Sequence, residues 1–225
     1  MKKVKIILSL AVLFFVYTAV NAQVEKNKFL FGASSNMNAL FGSSKIETTQ
    51  SGTTTKTDGP KTVNFNLTPS FGYFVIDGLA AGLFFDIDID NCKYEQELQT
   101  GGNVDLIDNT STMIVGPFIR YYINLGKIKP FAEGNIGFGS MKDKYEYLDW
   151  SGTSYTIKEE EDKYNIFNWG LGAGVAFFLS DNVSIDAMLG YNNSTINYKD
   201  DENDYKYKFK AGSFGANFGF TIIIP

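Results

Sequence analysis

The sequence predicts an all-β fold, an eight-stranded antiparallel up-and-down transmembrane β-barrel following a cleaved signal peptide. Three observations predict it. An apolar leader opens the chain. Behind it, eight segments alternate apolar and polar residues with period two. The connections between those segments alternate long and short.

The leader reads MKKVKIILSLAVLFFVYTAVNAQ. Lys2, Lys3 and Lys5 form a positive start, Ile6 to Val20 is apolar, and Val20-Asn21-Ala22 offers a cleavage site. The expected division is therefore a signal peptide over 1–22 and a barrel domain over 23–225. Loss of the three lysines takes the net charge from −5 to −8. So acidic a chain excludes the basic footprint of a nucleic-acid binder. Cys92 is the only cysteine, which excludes an intrachain disulfide, and the absence of His excludes a His-based triad. The full sequence holds 13 Tyr and 20 Phe, residue types that suit strands, together with 22 Gly.

The first strand, within KFLFGASSNMNALF, is the least regular; Phe29 and Phe31 oppose Gly32 and Ser34. In the second, Val63, Phe65, Leu67, Phe71, Tyr73 and Val75 oppose Asn64, Asn66, Thr68, Ser70 and Gly72. In the third, Leu83, Phe85, Ile87 and Ile89 oppose Phe84, Asp86, Asp88 and Asp90. The fourth sets Met113, Val115, Ile119 and Tyr121 against Gly116 and Arg120. The fifth sets Ala132, Ile136 and Phe138 against Glu133, Asn135 and Gly137. In the sixth, Phe167, Trp169, Leu171 and Val175 face away from Asn168, Gly170, Gly172 and Gly174. The seventh opposes Val183, Ile185 and Leu189 to Ser184, Asp186 and Gly190, and the eighth opposes Phe214, Phe218, Phe220 and Ile222 to Ser213, Gly215, Asn217 and Thr221. Short turns are expected at Asp77-Gly78, near Gly126 and at Ser180–Asn182. Long polar loops are expected over 42–61, 91–111, 142–163 and 199–210, and they hold 17 of the 25 acidic residues.

Side-chain size orients the two faces. Eight strands enclose a lumen wide enough only for packed side chains, so the bulky apolar rows belong outside and the small polar rows inside. The strand charges all fall on the polar face, as they must if the other face meets hydrocarbon. Tyr73, Tyr121, Trp169, Phe178 and Tyr191 are candidates for aromatic girdles at the two interfaces.

On these strands, and on the terminal Asn217-Phe218-Gly219-Phe220-Thr221-Ile222-Ile223-Ile224, the chain resembles the small outer-membrane barrels of the OmpA and OmpX kind, within the porin-like outer-membrane β-barrel family. The resemblance covers residues 28–224. It implies an outer-membrane location, contact with membrane lipid and lipopolysaccharide, and recognition of the last strand by barrel-insertion machinery. Ending on Ile224-Pro225 departs from the aromatic terminus of many members. Unlike the longer OmpA proteins, the chain leaves no space for a peptidoglycan-binding domain.

Asp86, Arg120, Glu133 and Asp186 are expected to form a lumen charge network that plugs the barrel. No catalytic residue, cofactor or metal site is expected. DIDIDNCKYEQE (Asp86–Glu97) resembles a calcium loop, but its DxDxD spacing is the strand's own period of two. Gly170-Leu171-Gly172-Ala173-Gly174 resembles part of a dinucleotide fingerprint without the βαβ unit that motif needs. The expected function is a non-enzymatic barrel with a structural, surface-interaction or loosely pore-forming role, its acidic loops a contact site for a surface ligand. The alternatives are a specific small-solute channel and a soluble periplasmic lipocalin-like barrel with its apolar face inside.

Overall fold

The computed structural model describes residues 24–36, 41–50, 53–98, 101–152, 154–200 and 205–225. The expected signal peptide lies outside the described residues. The strands are β1 (Phe29–Asn36), β2 (Phe41–Gln50), β3 (Thr53–Ile76), β4 (Leu79–Glu97), β5 (Asn103–Tyr122), β6 (Ile128–Trp150), β7 (Tyr155–Phe178), β8 (Val183–Asp200) and β9 (Tyr205–Ile224). They fill eight positions in an antiparallel ring, because β1 and β2 lie end to end along β3. β1 closes the ring against β9, from Phe29 opposite Ile224 to Asn36 opposite Asn217. Closure leaves no edge there for backbone groups to face hydrocarbon. Among the described residues no helix is long and apolar enough to cross a membrane; crossing falls to the strands.

The apolar rows face outward. Phe65, Met113, Phe138 and Leu171 are exposed, while Asn64, Asn66 and Asp186 on the opposite rows are buried. A lipocalin-like barrel has the reverse arrangement. Tyr121 lies exposed on the outside near the short turns. Trp169, Tyr191 and Phe214 form an aromatic row higher up, with ring centroids 5.7 Å and 4.9 Å apart. Phe177 lies eight positions along β7 from Trp169. At ~3.3 Å per residue and ~40° tilt that is about 20 Å of height, close to the apolar band of such barrels. Phe178 corrects one expectation. It is buried inside the barrel, because the period that sends Phe177 outward sends Phe178 in.

The predicted loops over 42–61, 91–111, 142–163 and 199–210 are corrected as well. The strands run on through most of these ranges as two-stranded ribbons; β6 and β7 stay in register from Ile128–Phe177 up to Trp150–Tyr155. Polar composition does not stop them, because the backbone groups that face the partner strand pair in the ladder, and those that face away are free to meet water beyond the apolar band. Thr and Tyr, plentiful in these stretches, suit a pleated backbone. Chain reversal is left to tips where Gly101, Gly102 and Gly152 take positive φ. The 23 residues of β6 span roughly 60 Å, more than twice the ~25 Å apolar band.

Asp77-Gly78 makes the two-residue turn between β3 and β4, with Gly78 at φ 79°. This end of the barrel is filled by inward side chains. Leu30, Phe74, Ala80, Tyr122, Phe131, Ala176, Phe178 and Ile223 form one buried apolar cluster. Val24 joins it, held by a hydrogen bond from the Gly78 amide to its carbonyl at 2.7 Å. The N-terminal segment therefore lies across the turn end.

Candidate functional site in the barrel lumen

Above the aromatic layer sits the charge cluster. Arg120 projects inward from β5 because it alternates with the outward Ile119 and Tyr121. Its Nε donates to Glu133 Oε2 at 2.5 Å, from the directly paired position on β6. Its Nη1 crosses the lumen to donate to Asp186 Oδ2 on β8 at 3.0 Å. Asp186 also accepts from Ser184 Oγ and Thr221 Oγ1, each at 2.7 Å. The guanidinium carbon lies 4.6 Å from the Phe131 ring centroid, and Nη1 donates to Tyr122 Oη at 3.1 Å. Every charge in the cluster is thus paired and hydrogen-bonded, which burial requires. The sequence reading did not place Ser184, Thr221 and Tyr122 in this cluster. Their inward parity was the available signal.

Asp86 does not join this network, and here the sequence expectation is corrected. It pairs across to Ile114, six positions along β4 from Ala80, the partner of Arg120. That offset is about 20 Å along the strand. Asp86 instead starts a ladder of carboxylates and amides between β3 and β4. It accepts from Thr68 Oγ1 at 2.7 Å and from Asn66 Nδ2 at 3.1 Å. Asn66 Nδ2 also reaches Asp88 at 3.1 Å, and Asn64 Nδ2 reaches Asp90 at 2.5 Å. The DxDxD spacing is therefore strand register, with each Asp held by side chains of the neighbouring strand. Among the described residues no group of three or more His, Cys, Asp or Glu is arranged to hold a metal ion.

Between the charge cluster and the ladder lies a chamber of about 430 Å³. Phe84, Ile114 and Phe118 line one side, and Asn135, Asn168, Asn192 and Asn217 line the other. Glycines of β7 make room for the side chains in and below this chamber. A Cβ on Gly170 would fall 2.3 Å from Asn192 Oδ1, and one on Gly174 would fall 2.5 Å from the Phe131 ring. Gly170, Gly172 and Gly174 thus leave room for larger inward neighbours, the strand reading of the GLGAG stretch.

A closed ring with an apolar outside, a polar inside and tall ribbons at one end defines an integral outer-membrane β-barrel. The chain belongs to the outer membrane protein beta-barrel domain family, whose model matches residues 8–221. Among solved structures it is similar to Neisserial surface protein A (15% identity, TM-score 0.39), covering 87% of this chain and 96% of that one. It is similar to the outer membrane protein W of E. coli (13% identity, TM-score 0.41; 88% and 97% covered). It is also similar to the N-terminal barrel domain of OprF from Pseudomonas aeruginosa (12% identity, TM-score 0.33; 88% and 98% covered). No curated protein matches the sequence.

Proposed function

We propose that this chain is a non-enzymatic outer-membrane barrel whose stoppered lumen serves as a rigid mast for its tall acidic ribbons, which make contacts at the cell surface. One observation carries this reading. Arg120 bridges the lumen between Glu133 and Asp186, directly above a buried layer of Phe74, Tyr122, Phe131 and Phe178. This stopper stands where a water path through the lumen would have to pass. The absence of His and the full pairing of Arg120, Glu133 and Asp186 support a structural role for these groups.

Lipopolysaccharide is the lipid partner we propose. Just above the apolar band, Lys61 stands directly opposite Lys93, and Lys142 directly opposite Lys163, all exposed. Like charges facing each other across strands cost stability, and an anion between them reverses the cost. The phosphates of lipopolysaccharide supply one at this height. The insertion machinery would read the last strand, where Asn217–Ile224 pairs with β1 and Asn217–Ile222 also pairs with β8.

The chamber of about 430 Å³ favours a second reading, a small-solute channel with Arg120 as its gate. Planar-bilayer recording separates the two. The mast reading expects faster gel migration unheated than boiled and no reproducible open state. A stable, solute-selective conductance in the unaltered protein would replace it with the channel.

A further inference from the structure

We propose that the chamber is a binding site for a neutral saccharide, entered from the ribbon end. The inference goes beyond the mast reading, although it shares the closed floor with it.

The two walls differ in chemistry. Phe84, Ile114 and Phe118, all buried, give an apolar wall from β4 and β5. Facing it, Asn135 and Asn192 converge over Gly170; a Cβ there would meet Asn192 Oδ1 at 2.3 Å and Asn135 Oδ1 at 3.0 Å. The side chains of Asn135, Asn192 and Asn217 have no protein partner among the described residues. Each amide offers donors and an acceptor without charge. Sugar hydroxyls require that combination, and a pyranose ring also presents a C–H face that packs on apolar side chains. The chamber volume lies within the ~300–1,000 Å³ of small-molecule sites.

Charge narrows the ligand class. One guanidinium (Arg120) and two carboxylates (Asp86 and Glu133) leave the chamber lining with a net −1. An anion is repelled. Asp86 and Glu133 already accept hydrogen bonds from Thr68, Asn66 and Arg120, so a cation would have to displace these donors.

The test uses the full barrel in lipid nanodiscs, free of glycosidic detergent, with maltose and N-acetylglucosamine as probes. Glucuronate, octanoate and putrescine are the anionic, apolar and cationic comparisons. Side-chain amide NMR signals of Asn135 and Asn192 are expected to shift with the neutral sugars. Asn135→Ala and Asn192→Ala should each weaken calorimetric affinity roughly tenfold, as loss of a hydrogen bond to a ligand does, while heat-shifted gel migration stays unchanged. The proposal is overturned if the unaltered barrel shows no amide shift with either sugar. It is equally overturned if a comparison ligand binds more tightly, or if folded variants bind the sugars as well as the parent. Binding without conductance supports both proposals; binding with conductance removes only the mast reading.

Discussion

Arg120 on β5 and Asp186 on β8 are joined across the lumen by a 3.0 Å ion pair, although three positions of the ring separate their strands. The bond is a crossbar. It ties walls that share no backbone ladder, and its length is set by the narrowness of an eight-stranded ring.

Removal of the crossbar should therefore be costly. Arg120→Ala leaves Glu133 and Asp186 buried with no cation beside them. Breaking a buried pair in this way costs about 3–5 kcal/mol. The expected outcome is a lower urea midpoint in lipid vesicles. An added outcome is a small conductance through the space the guanidinium vacates. An unchanged midpoint together with unchanged conductance would show that the crossbar neither braces nor blocks the barrel.

A second prediction concerns strand spacing. A Cβ on Gly116 would lie 1.9 Å from the Ile136 carbonyl oxygen and 2.7 Å from Gly137 Cα, both backbone atoms. Pro117 beside it gives no amide hydrogen to the ladder. The strands pass closely here, and Gly116→Ala must push β5 from β6. A loss of about 1–3 kcal/mol is expected, as for other overpacking changes. Gly215→Ala, with nothing within 4 Å of its new methyl, should leave the urea midpoint unmoved and serves as the control.

Much of this was legible in the sequence, for a specific reason. The order Val63-Asn64-Phe65-Asn66-Leu67 states its two faces directly, and the crowding argument then fixes which face is inside. Arg120, Glu133 and Asp186 could be grouped because parity places all three inward. Asp86 shares that parity, yet its height in the barrel depends on register between strands, which alternation does not encode. The ribbons were hidden for another reason. A run such as Lys158–Asp162 looks like a solvated loop, and its strand geometry comes from backbone bonds to β6, to which composition is blind. The amides of Asn135 and Asn192 carry no motif at all; they become a site only through the gap left by Gly170.

The ribbon tops should respond to alkali. Glu160 accepts from Tyr145 Oη at 2.8 Å and from Tyr147 Oη at 3.0 Å. The hydrogen bond to Glu160 pushes the Tyr145 phenol up to about 12, and the phenols hold Glu160 below the usual carboxylate value. The two groups work at opposite ends of the pH scale. A raised Tyr145 favours the folded contact fully below the free phenol value of ~10 and loses it as pH rises through about 12. A depressed Glu160 contributes above the free carboxylate value of ~4.3 and loses that contribution as pH falls through its own lowered value. Ultraviolet titration should show late tyrosinate transitions, and the amplitude of the latest ones should drop by one tyrosine in Tyr145→Phe. A parent and variant with identical titration curves would show the contact to be absent in solution.

The lysine pairs give the last prediction. Lys142 and Lys163 face each other across β6 and β7 and share Glu161, with Nζ to Oε1 distances of 3.4 Å and 3.5 Å. One carboxylate between two ammonium groups leaves a net positive spot directly above Phe138 and Phe167, whose rings pack 5.1 Å apart on β6 and β7. Lys61 and Lys93 repeat the arrangement across β3 and β4, with Asp105 2.7 Å from Lys93. If phosphate groups of the outer leaflet occupy these spots, lipopolysaccharide should raise the thermal midpoint of the barrel more than phosphatidylcholine does. Replacing Lys61 and Lys142 with Gln should remove that excess, and so should added salt, because exposed charges are screened over about 10 Å at 0.1 M. In phosphatidylcholine alone the same double variant should be slightly more stable than the parent, by about 0.2–1 kcal/mol, since two opposed like charges have been relieved. That reversal of sign between the two lipids is the measurement that separates a phosphate site from two lysines that merely face water.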